Sequence, residues 1–428
     1  MRIANGSINA TGDTYIIHLD TLGIVNGCVD LLTQELAYPT FAYNNTYGIQ
    51  AINQSLYQQA VDNFNRPDTG CRDLIINCRN IAAVGDPDAT GNNETVNQAC
   101  IAASVYCSNE VESQYINSSG RNYYDIAAFD PDPFPPSYYL GFLAQHWVQA
   151  ALGVPINYTQ STNGVYYAFQ STGDYARTDI RGGQLTDLAY LLDNGVKVAF
   201  MYGDRDYACN WLGGEEASLA VNYSQSPAFQ AAGYAPIQVN SSYIGGQVRQ
   251  HGNFSFSRVY ESGHEVPAYQ PETAYRIFQR AIFGNDIATG NISTNANQNY
   301  STQGPSSSFQ FKNDVPESPK AQCYVLNLLG TCTADQQASV LDGSALVHDY
   351  IVIDANTTSL FPGLNINNGT NGSNGTSGNG GGGSGASNVS ATGTAAPPRF
   401  TGGAGAVVVG WEMIGAVIGI VGVGIAML

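Results

Sequence analysis

Two short segments hold the side chains best suited to moving a proton. The first, Gly203-Asp204-Arg205-Asp206-Tyr207-Ala208-Cys209-Asn210-Trp211-Leu212-Gly213-Gly214, directly follows an apolar run at 196–202. Open α/β sheets present reactive side chains where a strand ends in such a loop. Taken alone, an Asp-x-Asp at this place is as readily a turn. The second is Glu261-Ser262-Gly263-His264-Glu265-Val266-Pro267-Ala268-Tyr269-Gln270-Pro271-Glu272. Its glycine permits a tight turn before the histidine, and its prolines favour an extended loop after it. A lone histidine is more often structural. Together, an acid at a strand end and a histidine on a later loop can orient an imidazole and use it as a general base.

Holding those groups in place takes strands that end in loops and helices that return the chain. Tyr15-Ile16-Ile17-His18-Leu19 and Leu22-Gly23-Ile24-Val25-Asn26-Gly27 read as a buried strand ending in a turn. The run at 196–202 is a second strand, and Ser257-Arg258-Val259-Tyr260 a third. Residues 271–283, apolar at Ala274, Ile277, Phe278, Ala281 and Ile282, form an amphipathic helix. Another helix at 145–155 is closed by Gly153 and Pro155. These elements predict an α/β fold on an open sheet. The long tyrosine-rich insertion between the first two strands predicts a cap over a site.

A formal charge of -18, with charged residues only 12% of the chain, leaves no basic surface for nucleic acid. Asn-x-Ser/Thr sequons recur from Asn5 and Asn9 through Asn117, Asn222, Asn240, Asn253 and Asn291, so sugars are expected to supply surface polarity. Eight cysteines agree with an oxidising, secretory route. The mirrored spacing of Cys71, Cys78, Cys100 and Cys107 suits nested bridges, Cys71–Cys107 around Cys78–Cys100. Zinc is the rival for these four, but the spacing is wide and no histidine is near. Cys323 and Cys332 are close enough for a small loop bridge. Neither a metal nor a cofactor is expected.

Both proton-moving segments resemble the signatures of the serine carboxypeptidase family, and Leu22-Gly-Ile-Val-Asn-Gly-Cys-Val-Asp30 resembles the family's strand after the nucleophile helix. The resemblance covers about residues 10–285 and implies an α/β-hydrolase fold, in its C-terminal part, with a helical, disulfide-stapled cap. It implies a Ser, Asp, His chain order in which Asp206, not Asp204, orients the imidazole and His264 is the general base. It places Cys209 and Asn210 beside the substrate, with Cys209 a free thiol; a bridge from Cys209 to Cys28 is the alternative. Glu265 stands where many members carry an apolar residue, so it is expected to alter the preference for the released residue. The family's Gly-Glu-Ser-Tyr-Gly is not found ahead of the first strand. The expectation is a serine-type carboxypeptidase acting on peptide or protein C-termini through an acyl-enzyme, with this chain inactive as written. Its rivals are a non-catalytic surface glycoprotein of the same ancestry and a lipase or esterase.

The expected organisation is a start of the hydrolase core at 1–35, a cap at 36–180, core again at 181–285, and a weakly ordered polar extension at 286–364. A flexible stalk rich in Gly, Ser, Asn and Thr follows at 365–401, then an apolar tail at 402–428. Small residues, a spacer and a terminal apolar tail without a basic flank match a GPI-attachment signal, with Gly385, Ser387 or Asn388 as the attachment residue; a retained spanning helix is the alternative. The expected location is the cell surface, with the membrane reached through the lipid anchor. No signal peptide is legible at Met1.

Overall fold

The computed structural model describes residues 18–178, 183–317 and 319–362. Five strands, β1 (Thr21–Val25), β2 (Lys197–Gly203), β3 (Ala235–Gln238), β4 (Ile244–His251) and β5 (Phe254–Val259), form one sheet in the order β1-β2-β5-β4-β3. β1, β2 and β5 run parallel, and β4 and β3 are added antiparallel. This is the α/β architecture expected, with a mixed sheet rather than a purely parallel one.

Burial explains why the elements fall where they do. β2 and β5 are buried along their whole length, as strands covered on both faces are. β1 differs from the expected buried strand: among the described residues it pairs only with β2, and Val25 is 42% exposed. The hairpin β4–β5 was legible only in its second half, because β4 (Ile-Gly-Gly-Gln-Val-Arg-Gln-His) is buried yet carries few apolar residues. Its polar side chains are spent inside: Arg249 donates to the carbonyls of Gln230 and Ala232 at 2.8 and 2.9 Å. The helix Pro271–Ile282 packs its Ala274 and Ile277 stripe against Met201, Val248 and Val259.

The insertion is helical. Cys71–Gly85 and Glu94–Cys107 lie side by side, joined by the bridges Cys71–Cys107 and Cys78–Cys100, and all four cysteines are buried. The helix expected at 145–155 is His146–Leu152, ended by Gly153 in the left-handed conformation at φ 68°.

Of the polar extension expected at 286–364, residues 290–317 and 319–362 are not loose. They run along the core, with Thr302 nitrogen bonded to the Gln250 carbonyl at 3.0 Å. They finish in a small unit held by Cys323–Cys332, in which Thr333 and Gln336 cap the helix Ala334–Leu341 reciprocally. Much of the stretch is exposed to solvent, and it is tied to the core at particular points, as where Arg258 donates to the carbonyls of Ser308 and Phe311. The stalk at 365–401 and the apolar tail at 402–428 lie outside the described residues. No helix among the described residues is long and apolar enough to cross a membrane.

Candidate active site

Asp206 sits in the loop after β2 and is fully buried. Four donors converge on its carboxylate. Ala208 nitrogen reaches Oδ1 at 2.9 Å, while Asn26 Nδ2 at 2.6 Å, Cys209 nitrogen at 3.2 Å and His264 Nδ1 at 2.9 Å reach Oδ2. Because that carboxylate only accepts, Nδ1 carries the proton. The ring's Nε2 is left as the basic nitrogen, without a protein partner among the described residues.

Asn26 ends β1 in the left-handed conformation, φ 45°, which asparagine tolerates better than most residues. That turn lets its carboxamide accept from Gly203 nitrogen at 3.1 Å while donating to Asp206. Sequence reasoning gave Asn26 no role. The signal was an Asn-Gly pair directly after an apolar strand.

The histidine loop is fixed by close backbone approach. A Cβ on Gly203 would overlap the carbonyl oxygens of Ser262 and Gly263. Gly263 itself abuts the Tyr124 carbonyl and the Tyr269 ring, so it serves packing rather than a positive φ. The stretch expected to be extended after His264 is instead the helical turn Val266–Tyr269, with a proline in its first turn, where a missing N–H is harmless. A cap segment clamps both loops: His264 nitrogen donates to Tyr124 oxygen at 2.9 Å, Ala208 nitrogen to Tyr123 oxygen at 3.0 Å, and Ile126 nitrogen to Arg205 oxygen at 2.8 Å. The Tyr124 ring lies 5.1 Å from the imidazole.

Asp204 faces away from this pair. It is buried against Arg258 at 3.0 Å, the Tyr47 hydroxyl at 2.6 Å and Asn313 at 3.0 Å. Burial pushes its carboxyl above the usual range against the pull of Arg258 and Tyr47. The two aspartates of one loop thus divide, one holding an ion pair and the other the imidazole.

Two expected site residues have other duties. Cys209 is not a free thiol but is bridged to Cys28, a correction to the role implied by resemblance. A cysteine stands at the turn after β1 and meets the Asp206 loop there. Asn210 is 2% exposed and its carboxamide oxygen caps the helix Trp211–Ala220 by accepting from Gly213 nitrogen at 3.1 Å. Glu265 is exposed beside His264.

The imidazole is tuned by opposing effects. Burial lowers its pKa, but the Asp206 carboxylate, by charge and hydrogen bond, and Glu265 together raise it above 6.5. With a raised value, the stability of the charged pair is fully present below the unfolded value and is lost as pH rises through the folded one. An NMR titration of the His264 ring should therefore show a midpoint above 6.5. Asp206→Asn should drop it below the ordinary value, since burial remains when the charge is gone. An unmoved midpoint would refute the coupling.

A buried carboxylate on the Nδ1 of a histidine whose Nε2 is open is an arrangement able to accept a proton from a nucleophile. The family described as serine carboxypeptidase matches residues 3–284. Carboxypeptidase S1 homolog B of Arthroderma otae is 55% identical over 366 residues, 84% of this chain and 55% of that protein. Carboxypeptidase S1 of Penicillium janthinellum is 34% identical over 266 residues, 62% of this chain and 57% of that protein. Among solved structures, the prohormone-processing carboxypeptidase Kex1(delta)p of Saccharomyces cerevisiae aligns with a TM-score of 0.40 at 20% identity, covering 61% of this chain and 54% of its own. The chain belongs to the serine carboxypeptidase family, an α/β-hydrolase fold. It spans about half the length of the curated relatives it matches.

Proposed function

We propose that this chain supplies the aspartate and histidine of a serine-type carboxypeptidase that releases C-terminal residues from peptides through an acyl-enzyme. The observation that carries this reading is the Asp206 to His264 contact at 2.9 Å, with Nε2 free to take a proton from a serine and return it to the leaving amine. The Gly-Glu-Ser-Tyr-Gly that carries the family's nucleophile is not among these 428 residues, so this chain by itself is expected to turn over no substrate. The test is release of the terminal residue from a blocked peptide. A polypeptide of the relatives' length should be active and this chain inert. Turnover by this chain alone would overturn the assignment of the nucleophile.

A secretory route is part of the same reading. It is supported by the bridges Cys28–Cys209, Cys71–Cys107, Cys78–Cys100 and Cys323–Cys332, and by the exposed sequon asparagines Asn117, Asn222, Asn240 and Asn291. Attachment through a lipid anchor at the C-terminus rests on sequence alone.

Glu265 is the residue we assign to terminal-residue preference. It is exposed, and its charge acts on Tyr124 and Tyr139 as well as on His264, so a released residue leaving past the imidazole would meet it. An exposed ion pair is worth about 0.2–1 kcal/mol. Glu265→Gln in the active polypeptide should accordingly lower kcat/KM for peptides ending in Lys or Arg by about 1.4- to 5-fold relative to those ending in Leu. Equal changes for both substrates would remove the assignment.

A further inference from the structure

Under the cap lies a cluster that the Asp206–His264 pair does not use. Glu35 follows the helix Leu31–Gln34, is 0% exposed, and neither carboxyl oxygen has a hydrogen-bond partner. Its carboxyl lies within 4.8 Å of both sulfurs of the Cys71–Cys107 bridge. Glu112 closes the π-helical turn Ser108–Glu112 that continues the stapled helix Glu94–Cys107, and it is 5% exposed. Its carboxyl accepts from the Tyr123 hydroxyl, and its backbone carbonyl accepts from the Tyr207 hydroxyl at 2.6 Å.

The groups facing this pair are acidic or phenolic. Tyr38 from the helix Ala37–Tyr43, Tyr123 from the cap segment, Tyr175 and Tyr207 all feel one or both carboxyls. Asp30, which also faces Tyr175, is already matched by Arg79 at 2.8 Å. Among the described residues no cation acts on either glutamate. A buried carboxylate without a cation or adequate donors keeps its proton rather than its charge.

We propose that Glu35 and Glu112 are a proton-operated lock, closed while both carboxyls are protonated, that fastens the disulfide-stapled helices to the loops carrying Asp206 and His264. The connection is short. Tyr123, held by Glu112, gives its carbonyl to Ala208 nitrogen, and its neighbour Tyr124 gives its carbonyl to His264 nitrogen. Tyr207, held by the Glu112 backbone, adjoins Asp206. Ionising either glutamate puts an unmatched charge at this junction and drives the stapled helices away from the loops.

Burial pushes Glu112 up to about 8, against the Tyr123 hydroxyl, and pushes Glu35 well above 4.5, with Glu112 adding to it. For raised acids the sign is fixed: the stability is complete below the unfolded value and is lost as pH rises toward the folded one. For Glu112 the window therefore opens near 4.5 and closes near 8, and Glu35 acts in the same direction.

The test is urea unfolding of the 428-residue chain between pH 4 and 9. The folding constant should fall with rising pH by roughly tenfold per unit for each proton retained. Glu35→Gln keeps the shape but has no proton to lose, so its profile should be shallower by about tenfold per unit. Parallel profiles would overturn the lock. Should that variant fail to fold, carboxyl NMR titration of the unaltered chain decides: both carboxyls are expected to titrate well above 4.5, and a midpoint at the ordinary value for either refutes it. Hydrogen exchange, corrected for its intrinsic pH dependence, reads the fastening. Protection of the Ala208 and His264 amides should collapse above pH 8 in the unaltered chain and persist in the double variant Glu35→Gln/Glu112→Gln, which has neither carboxyl left to ionise. Protection that does not change with pH would leave the pair unlinked to the site and overturn the proposal.

Discussion

Asp206→Asn, made in an active polypeptide of the relatives' length, should lower kcat by about 10⁴-fold while leaving KM nearly unchanged. The reason is the number of donors around one carboxylate. Ala208 nitrogen, Asn26 Nδ2, Cys209 nitrogen and His264 Nδ1 all point at Asp206. A carboxamide has only one accepting oxygen, so whichever way it turns, its NH₂ meets N–H groups. If the NH₂ takes the Oδ2 position, the imidazole answers by moving its proton to Nε2, which then cannot act as a base. The variant should also lose about 1–3 kcal/mol of stability, the cost of leaving buried donors unmatched. Steady-state kinetics with urea unfolding separates the two effects. Asp204→Asn is the control: it should cost stability and leave the imidazole in register. A 10⁴-fold loss in Asp204→Asn and not in Asp206→Asn would reverse the assignment of the two aspartates.

The pairing of Asp206 with His264 was legible in the sequence because each sits in a segment dense with constrained residues: glycines where backbones touch, prolines at the start of a helix, an asparagine at a cap. What it hid were the groups that hold those segments together. Asn26 lies far from Asp206 along the chain, and only the parallel pairing of β1 with β2 brings them within 2.6 Å. β4 was illegible for a physical reason. Its Gln247, Arg249 and Gln250 are buried polar residues, the last two bonded to distant backbone, so they break the apolar pattern that marks a strand. The partner of Cys209 was open in the sequence for the same reason, since a contact across two strand ends leaves no local spacing to read. The nested bridges left such a spacing, because both lie within one helical hairpin.

Arg258→Met should cost about 3–5 kcal/mol of stability, the largest stability loss expected here. Arg258 is 0% exposed, and every direction its guanidinium faces is occupied. It pairs with Asp204 at 3.0 Å, donates to the carbonyls of Ser308 and Phe311 at 2.6 and 3.0 Å, and lies over the Trp211 ring at 4.6 Å. Methionine fills the space but leaves Asp204 buried with only the Tyr47 hydroxyl and Asn313 to hold it, and strands two carbonyls. Removing one partner of a buried pair costs more than removing both, because the survivor keeps its desolvation penalty. The double variant Arg258→Met/Asp204→Asn should therefore recover part of the loss, a non-additivity that a double-mutant cycle measures directly. The same change should make the segment around Ser308 and Phe311 more open to proteolysis, since Arg258 ties it to β5 at two carbonyls. A loss under about 1 kcal/mol, within the range of an exposed pair, would mean that the Asp204–Arg258 contact does not hold the loop in which Asp206 lies.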